Sequence, residues 1–240
     1  MRVVAIAVIV GAITTAVAVF IPWLPDQATE EADWIDLVFW VTTAICIVIF
    51  SVVAGVTLYS VFKFRARPDD ESDGPPVHGH TGLEIAWTAI PAVLVTGIAV
   101  LSAVALAQNE SIPHNRLSVE VTARQFAWSF KYPELGGIES GQLYLEKSRT
   151  AELKLHALDV IHSFWVPEFR QKQDAVPGTT THVAVTPVKT GNWALICTEL
   201  CGVGHALMRT RAIVLEKPAF EKWVREQRAA KAGSGTGASG

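Results

Sequence analysis

The sequence predicts a membrane helical hairpin, with two or three transmembrane helices, followed by an all-β antiparallel sandwich with Greek-key connections. Three observations carry that prediction. Half of the 240 residues are hydrophobic, yet every long apolar run lies within the first 107. Beyond them the chain turns to short alternating segments separated by glycine and proline turns. One loop of that second half, "CTELCGVGHALM" from Cys197 to Met208, gathers two cysteines, a histidine and a methionine.

The first apolar run, Val3 to Leu24, follows Arg2 as the core of a signal peptide would. Its length of about 22 residues is long for such a core. It ends in "IPWLP" without a small-residue cleavage site, Ala16-Val17-Ala18 being an internal candidate. Residues 1–25 are therefore a signal peptide or a first transmembrane helix, the second being favoured. The second run, Leu37 to Phe62, has no charge over about 26 residues, more than the ~20 needed to cross a bilayer. Lys63, Arg65 and Arg67 follow it. The third run, Leu83 to Ala107, is broken only by Glu84 near its start. Basic residues mark the cytoplasmic side, so residues 34–107 read as a hairpin in membrane lipid whose two ends face outward. Trp34, Trp40 and Trp87 stand near run ends, where amphipathic rings favour the interface. Asp26, Glu30, Glu31 and Asp33 fall in the outer loop. Cys46, inside an apolar run, reads as an inert buried thiol.

Residues 112–228 read as the outer domain. Alternation appears in "LSVEV", "LKLHA" and "HVAVT", while "WALIC" and "RAIVLE" read as fuller, buried strands. Gly136-Gly137, Pro177-Gly178 and Gly191-Asn192 supply turns. The small-residue tail, 229–240, is expected to be disordered. The net charge of −3 points neither to nucleic acid nor to an anionic surface.

The Cys197–Met208 loop joins two of the strands, so a rigid sheet holds both its ends, a common setting for a site. Thiolate and thioether are soft ligands and imidazole is borderline. Zinc sites are usually closed by Cys and His alone. A methionine beside two Cys and a His points instead to copper, where a weak axial sulfur tunes the potential. The three- and four-residue steps would also suit one helix face, but Gly202 and Gly204 each cost about 1 kcal/mol there. A disulfide between Cys197 and Cys201 stays open as the other reading, since the topology puts them in an oxidising milieu. His162, in "DVIHSFWVPEF" at the end of a strand-like run, is the candidate further ligand. His156 and His182 alternate within strands as surface or packing residues.

The order His162, then Cys197, Glu199, Cys201, His205 and Met208, resembles the dinuclear copper A site of subunit II of haem-copper cytochrome c oxidases. "LEIAWTAIP" resembles that family's second hairpin helix, and "RQFAWSFKYP" its aromatic strand. "DVIHSFWVPEF" and "KQDAVPG" resemble its first-ligand region. The resemblance implies a cupredoxin-like outer domain with a role for each matching residue. Cys197 and Cys201 would bridge two coppers, with His162 and His205 as terminal ligands. Met208 and the Glu199 carbonyl would be the weak axial ligands. The Glu199 carboxylate would reach a magnesium shared with subunit I. Sharing one electron over two metals limits bond-length change on reduction, which favours fast transfer. The chain would then accept electrons from cytochrome c or a similar carrier. It would pass them to haem in subunit I, where oxygen is reduced to water with proton pumping. The implied location is the plasma membrane, multi-pass, with the copper domain outside.

One departure stands out. The family carries Trp after the glutamine of its aromatic strand, at the exposed point where electrons enter; here that position is Phe126, and Phe126 with the next aromatic, Trp128, is the expected electron entry. The identity of the donor is thereby left open. Glu84 corresponds to a glutamate near the mouth of a proton pathway, or is a solvated boundary residue. Asp159 and Asp174 would help dock a basic donor or cap turns. The rivals are a quinol-oxidase subunit, which lacks these ligands, a copper-delivery module and a disulfide-stapled domain.

Overall fold

The computed structural model describes residues 1–66, 69, 74 and 76–235. Arg67 of the expected basic cluster and residues 236–240 of the expected tail lie outside them. The chain divides into two units, Met1–Leu24 with Asp36–Ala105, and Pro25–Ile35 with Leu106–Gly240.

The three apolar runs form helices α1 (Arg2–Phe20), α2 (Glu31–Lys63) and α3 (Thr81–Asn109), each long and apolar enough to cross a membrane. Small residues set the approach of α1 to α2. A Cβ added at Gly55 would come within 2.8 Å of the Ala7 Cβ, and one at Gly11 within 3.1 Å of the Ser51 hydroxyl. Without a hydrophobic drive between helices in lipid, such close backbone approach is a main source of adhesion. Cys46 is exposed on α2, contrary to the expected buried thiol. A span packs only one face, so an apolar run does not imply burial within the chain.

The second unit is a sandwich of two five-stranded sheets. The strands are β1 (Leu117–Arg124), β2 (Ala127–Tyr132), β3 (Ile138–Ser140), β4 (Leu143–Glu146) and β5 (Ala151–Ala157). They continue with β6 (His162–Trp165), β7 (Lys172–Ala175), β8 (Thr181–Val185), β9 (Gly191–Cys197) and β10 (Arg209–Leu215). One sheet has the order β3-β2-β1-β5-β8 and the other β4-β10-β9-β6-β7. The alternation read in "LSVEV" and "LKLHA" has its cause here. Leu117, Val119 and Val121 of β1 and Leu153 and Leu155 of β5 point into the core with Phe130, Tyr132, Leu145, Leu195 and Val214. Each such side chain, fully buried, contributes about 1.5–3 kcal/mol.

Three features depart from the sequence reading. The sheets are mixed, since β1 pairs β5 and β4 pairs β10 in parallel. His162 begins a strand instead of ending one. The chain after β10 folds into a helix, α4 (Lys217–Gly235), where disorder was expected from 229. Phe220, Trp223 and Val224, at helical spacing, are buried on one face. Trp223 stacks on Tyr144 with ring centroids 4.3 Å apart. Arg228 then donates to the Leu135 carbonyl, and Lys231 to those of Gly136 and Gly137. The alanines of "RAAKA" are good helix formers, so the helix continues past its last buried residue.

The outer loop is also more than an acidic connection. The Ala28 N–H donates to the Glu168 carbonyl at 3.0 Å, and the Val188 N–H to the Ala28 carbonyl at 2.9 Å. The Glu30 N–H donates to the Thr186 carbonyl at 3.0 Å. The buried Glu31 carboxylate accepts the Thr186 N–H at 3.0 Å. Residues 25–35 therefore form a strap along the segment after β8.

Candidate metal centre

Three segments bring the predicted ligands together. β6 opens with His162, fully buried; β9 ends at Cys197; and the loop from Cys197 to β10 carries Cys201, His205 and Met208. The loop is tied at its base, because the Cys197 N–H donates to the Met208 carbonyl at 3.1 Å and the Thr198 N–H to the Ser163 carbonyl at 3.0 Å. A short 3-10 turn, His205–Leu207, folds Met208 inward.

The donor atoms converge. His162, Cys197 and Cys201 are buried, with ligand atoms all within 4.8 Å of one another. Cys197 Sγ lies 3.9 Å from His162 Nδ1, 3.3 Å from the Glu199 carbonyl oxygen and 3.9 Å from Cys201 Sγ. Cys201 Sγ lies 3.7 Å from His205 Nδ1 and 3.8 Å from Met208 Sδ. The two thiols are free. Two sulfurs each about 2.3 Å from one metal at a tetrahedral angle would sit ~3.8 Å apart, so the spacing fits ligation. The donor set also fits: soft sulfur with imidazole suits copper.

His162 is oriented from behind. Its Nε2 meets Asp159 Oδ1 at 2.8 Å, which leaves Nδ1 on the sulfur side. A carboxylate on the far ring nitrogen is the usual device for fixing the tautomer of a metal-ligating histidine. Asp159 also accepts the backbone N–H groups of Gln125 and Val160, each at 2.7 Å. Partial burial opposes its ionisation, but these three partners prevail and hold its pKa at about 2. Burial, then the neighbouring Cys197, pushes the Cys201 thiol up to about 11, so metal must displace a firmly held proton.

The aromatic strand places its two predicted residues differently. Phe126 is half-buried beside the loop. A Cβ at Gly204 would come within 2.5 Å of its ring and one at Gly202 within 3.2 Å, so both positions need glycine. Trp128 is buried, its ring edge-on to His162 and Phe164 at centroid distances of 6.2 and 6.1 Å. It therefore backs the centre, and does not share the surface position expected for it with Phe126. The Glu199 side chain is exposed. Glu84 acts locally. Its carboxylate accepts the His80 N–H at 3.2 Å, while His80 Nδ1 accepts the Leu83 N–H at 3.2 Å. Together they close the N-terminus of α3 as a reciprocal cap. Sequence reasoning missed Gln125, whose only signal was its place before Phe126.

The chain matches two family models: "Cytochrome C oxidase subunit II, transmembrane domain" over residues 5–104, and "Cytochrome C oxidase subunit II, periplasmic domain" over residues 142–217. It is 36% identical to cytochrome c oxidase subunit 2 of Thermostichus vulcanus, over 86% of this chain and 79% of that one. The chain belongs to the cytochrome c oxidase subunit II family. The same-named protein of Synechocystis is 32% identical over 91% of this chain and 81% of its own length. Among solved structures, the periplasmic domain of subunit II (CoxB) of Bradyrhizobium japonicum covers 50% of this chain and 99% of its own, at 28% identity and a TM-score of 0.48. As a subunit II, the chain is an electron-transfer component of a terminal oxidase, an oxidoreductase complex, and works beside other oxidase subunits. It is a membrane protein with an extracytoplasmic domain, and its His-Cys-Cys cluster suits copper.

Proposed function

We propose that the centre is a dinuclear copper A site held by His162, Cys197, the Glu199 carbonyl, Cys201, His205 and Met208. Copper bound there supplies a one-electron couple. Cys197 and Cys201 would hold the metal pair through their sulfurs and His162 and His205 through Nδ1, with Met208 and the Glu199 carbonyl as further, weaker donors. The observation that carries this reading is that donors from β6, β9 and the loop stand 3.3–3.9 Å apart around two free thiols. The sandwich fixes both ends of the loop, so the ligands keep their places when the oxidation state changes. Whole-chain samples loaded with copper should show the spin resonance of one electron shared by two equivalent metals. A spectrum of separate mononuclear sites would contradict the reading.

The subunit relays electrons from cytochrome c, or a small carrier like it, to the haem centres of subunit I, where oxygen is reduced to water with proton pumping. Phe126 offers its ring to the donor from beside Gly202 and Gly204. In Phe126→Ala the rate of reduction by the native donor should fall about tenfold or more; an unchanged rate would remove Phe126 from this role. The exposed Glu199 carboxylate would hold a magnesium shared with subunit I. Glu84 serves the mouth of the proton pathway as well as its cap. Glu84→Gln keeps an acceptor for the His80 N–H, so it isolates the proton-carrying role: pumping should drop while α3 stays capped. The protein resides in the plasma membrane, its spans in lipid and its copper domain outside. Helix α1 (Arg2–Phe20) is retained as a first membrane span, a reading supported by the close approach of Ala7 to Gly55. Intact mass of the purified chain should include Arg2.

A further inference from the structure

We propose that Gln125 is a positioning residue for the metal centre, acting on Cys201 through its side chain and on His162 through Asp159. The inference rests on the copper reading above. Gln125 is exposed in the turn between β1 and β2 and supplies no ligand. Its side-chain Nε2 donates to the Cys201 carbonyl at 2.5 Å. Its backbone N–H donates to Asp159 Oδ2 at 2.7 Å, and Asp159 Oδ1 meets His162 Nε2 at 2.8 Å. One residue thus joins two ligand-bearing segments far apart in the chain, the approach to β6 and the loop after β9.

The packing agrees with the hydrogen bonds. A Cβ at Gly202 would come within 2.9 Å of Gln125 Nε2, so the amide lies flush on the loop backbone directly after Cys201. Gly202 has φ of +134°, a conformation that L side chains rarely adopt. Glycine lets the backbone turn there without strain, and the Gln125 amide binds the carbonyl where that turn begins. The Cys201 sulfur faces three other donors at 3.7–3.9 Å. A small rotation of its backbone would change all three distances together. Gln125 therefore sets the sulfur position as well as the loop's attachment.

The test uses the assembled oxidase with three subunit II variants. Gln125→Met keeps the length and bulk of the side chain but has no donor. Gln125→Ala removes the side chain. Gln125→Lys restores a donor at similar reach. The readouts are copper per chain, copper loss to a competing chelator, and the hyperfine pattern and midpoint potential of the centre. The Met and Ala variants should lose copper about tenfold faster, as partners behind metal ligands commonly do when removed. They should also show an altered hyperfine pattern and potential, and Lys should recover both. A loaded wild type with Gln125→Met identical to it in spectrum, potential and retention overturns the positioning role alone. So does Lys failing to recover what Met loses, since the donor would then not be the cause. A wild type that takes up no copper sinks the copper reading and this inference together.

Discussion

At the scale of single residues, the centre separates ligands from the groups that aim them. If the proposed pair is held there, Cys197→Ser or Cys201→Ser should abolish the paired-metal signal, because each would remove a sulfur shared by both metals. On the same proposal, Met208→Leu should leave copper bound and shift its potential, since a thioether there would be a weak ligand. Asp159 gives a sharper contrast. A docking charge and a positioning group both slow electron transfer when lost, but only the second alters the centre itself. With its carboxylate committed to His162 and two backbone amides, Asp159→Ala should weaken copper retention about 10- to 100-fold. Chelator competition measures that loss, and retention equal to wild type would leave docking as the role. Much of this was legible in the sequence. Cys197, Cys201, His205 and Met208 share one loop, and donor chemistry alone suggests copper. His162 is weaker as a lone histidine, and needs the family pattern to be singled out. Gln125 was not legible, because hydrogen bonds between distant turns leave no periodicity or composition signal, and the orienting role of Asp159 was not, because an acid three residues before a histidine reads equally as a turn cap.

At the scale of elements, the strands followed from alternation, while the two parallel pairings did not. Alternation fixes which face is buried, and says nothing about which strand is the neighbour. Helix α4 was hidden because its tail is rich in small residues, although Phe220, Trp223 and Val224 already mark a helical face. The parallel β1–β5 pair has an electrostatic consequence on its outer face. Glu152 is nearly buried and meets Arg116 at 2.7 Å, His182 at 3.1 Å and Lys154 at 3.6 Å. Burial opposes its ionisation, yet Arg116, Lys154 and His182 together hold its pKa below the ordinary 4.5. A depressed carboxylate stabilises the fold above its unfolded value and loses that contribution as pH falls through the folded one. Acid unfolding should therefore steepen below about pH 4.5 in the wild type, and flatten there in Glu152→Gln. Equal slopes, followed by circular dichroism, would remove Glu152 from the acid response. The strap makes a separate prediction. Ala28 is fully buried between Glu168 and Val188, so Ala28→Asp should cost at least about 2 kcal/mol of stability. A melting temperature unchanged from wild type would show that the strap contributes nothing.

At the scale of the whole molecule, a unit of apolar helices is joined in the chain to a β-sandwich in which β6, β9 and one loop build a single centre. The division into a membrane part and an outer domain was plain from hydropathy. The assignment of residues 25–35 to the outer unit was not, because Asp26, Glu30, Glu31 and Asp33 marked only an outer loop, while Ala28, Thr29 and Ala32 carry the packing. That strap makes the full chain, and not a fragment starting at Ile112, the proper sample for the deciding experiment. Electron paramagnetic resonance of the copper-loaded full chain separates a paired centre from any other. A paired centre gives hyperfine splitting from two equivalent coppers sharing one unpaired electron, and Cys201→Ser should abolish it. A mononuclear spectrum, or a paired spectrum that survives Cys201→Ser unaltered, would refute the sulfur-bridged pair.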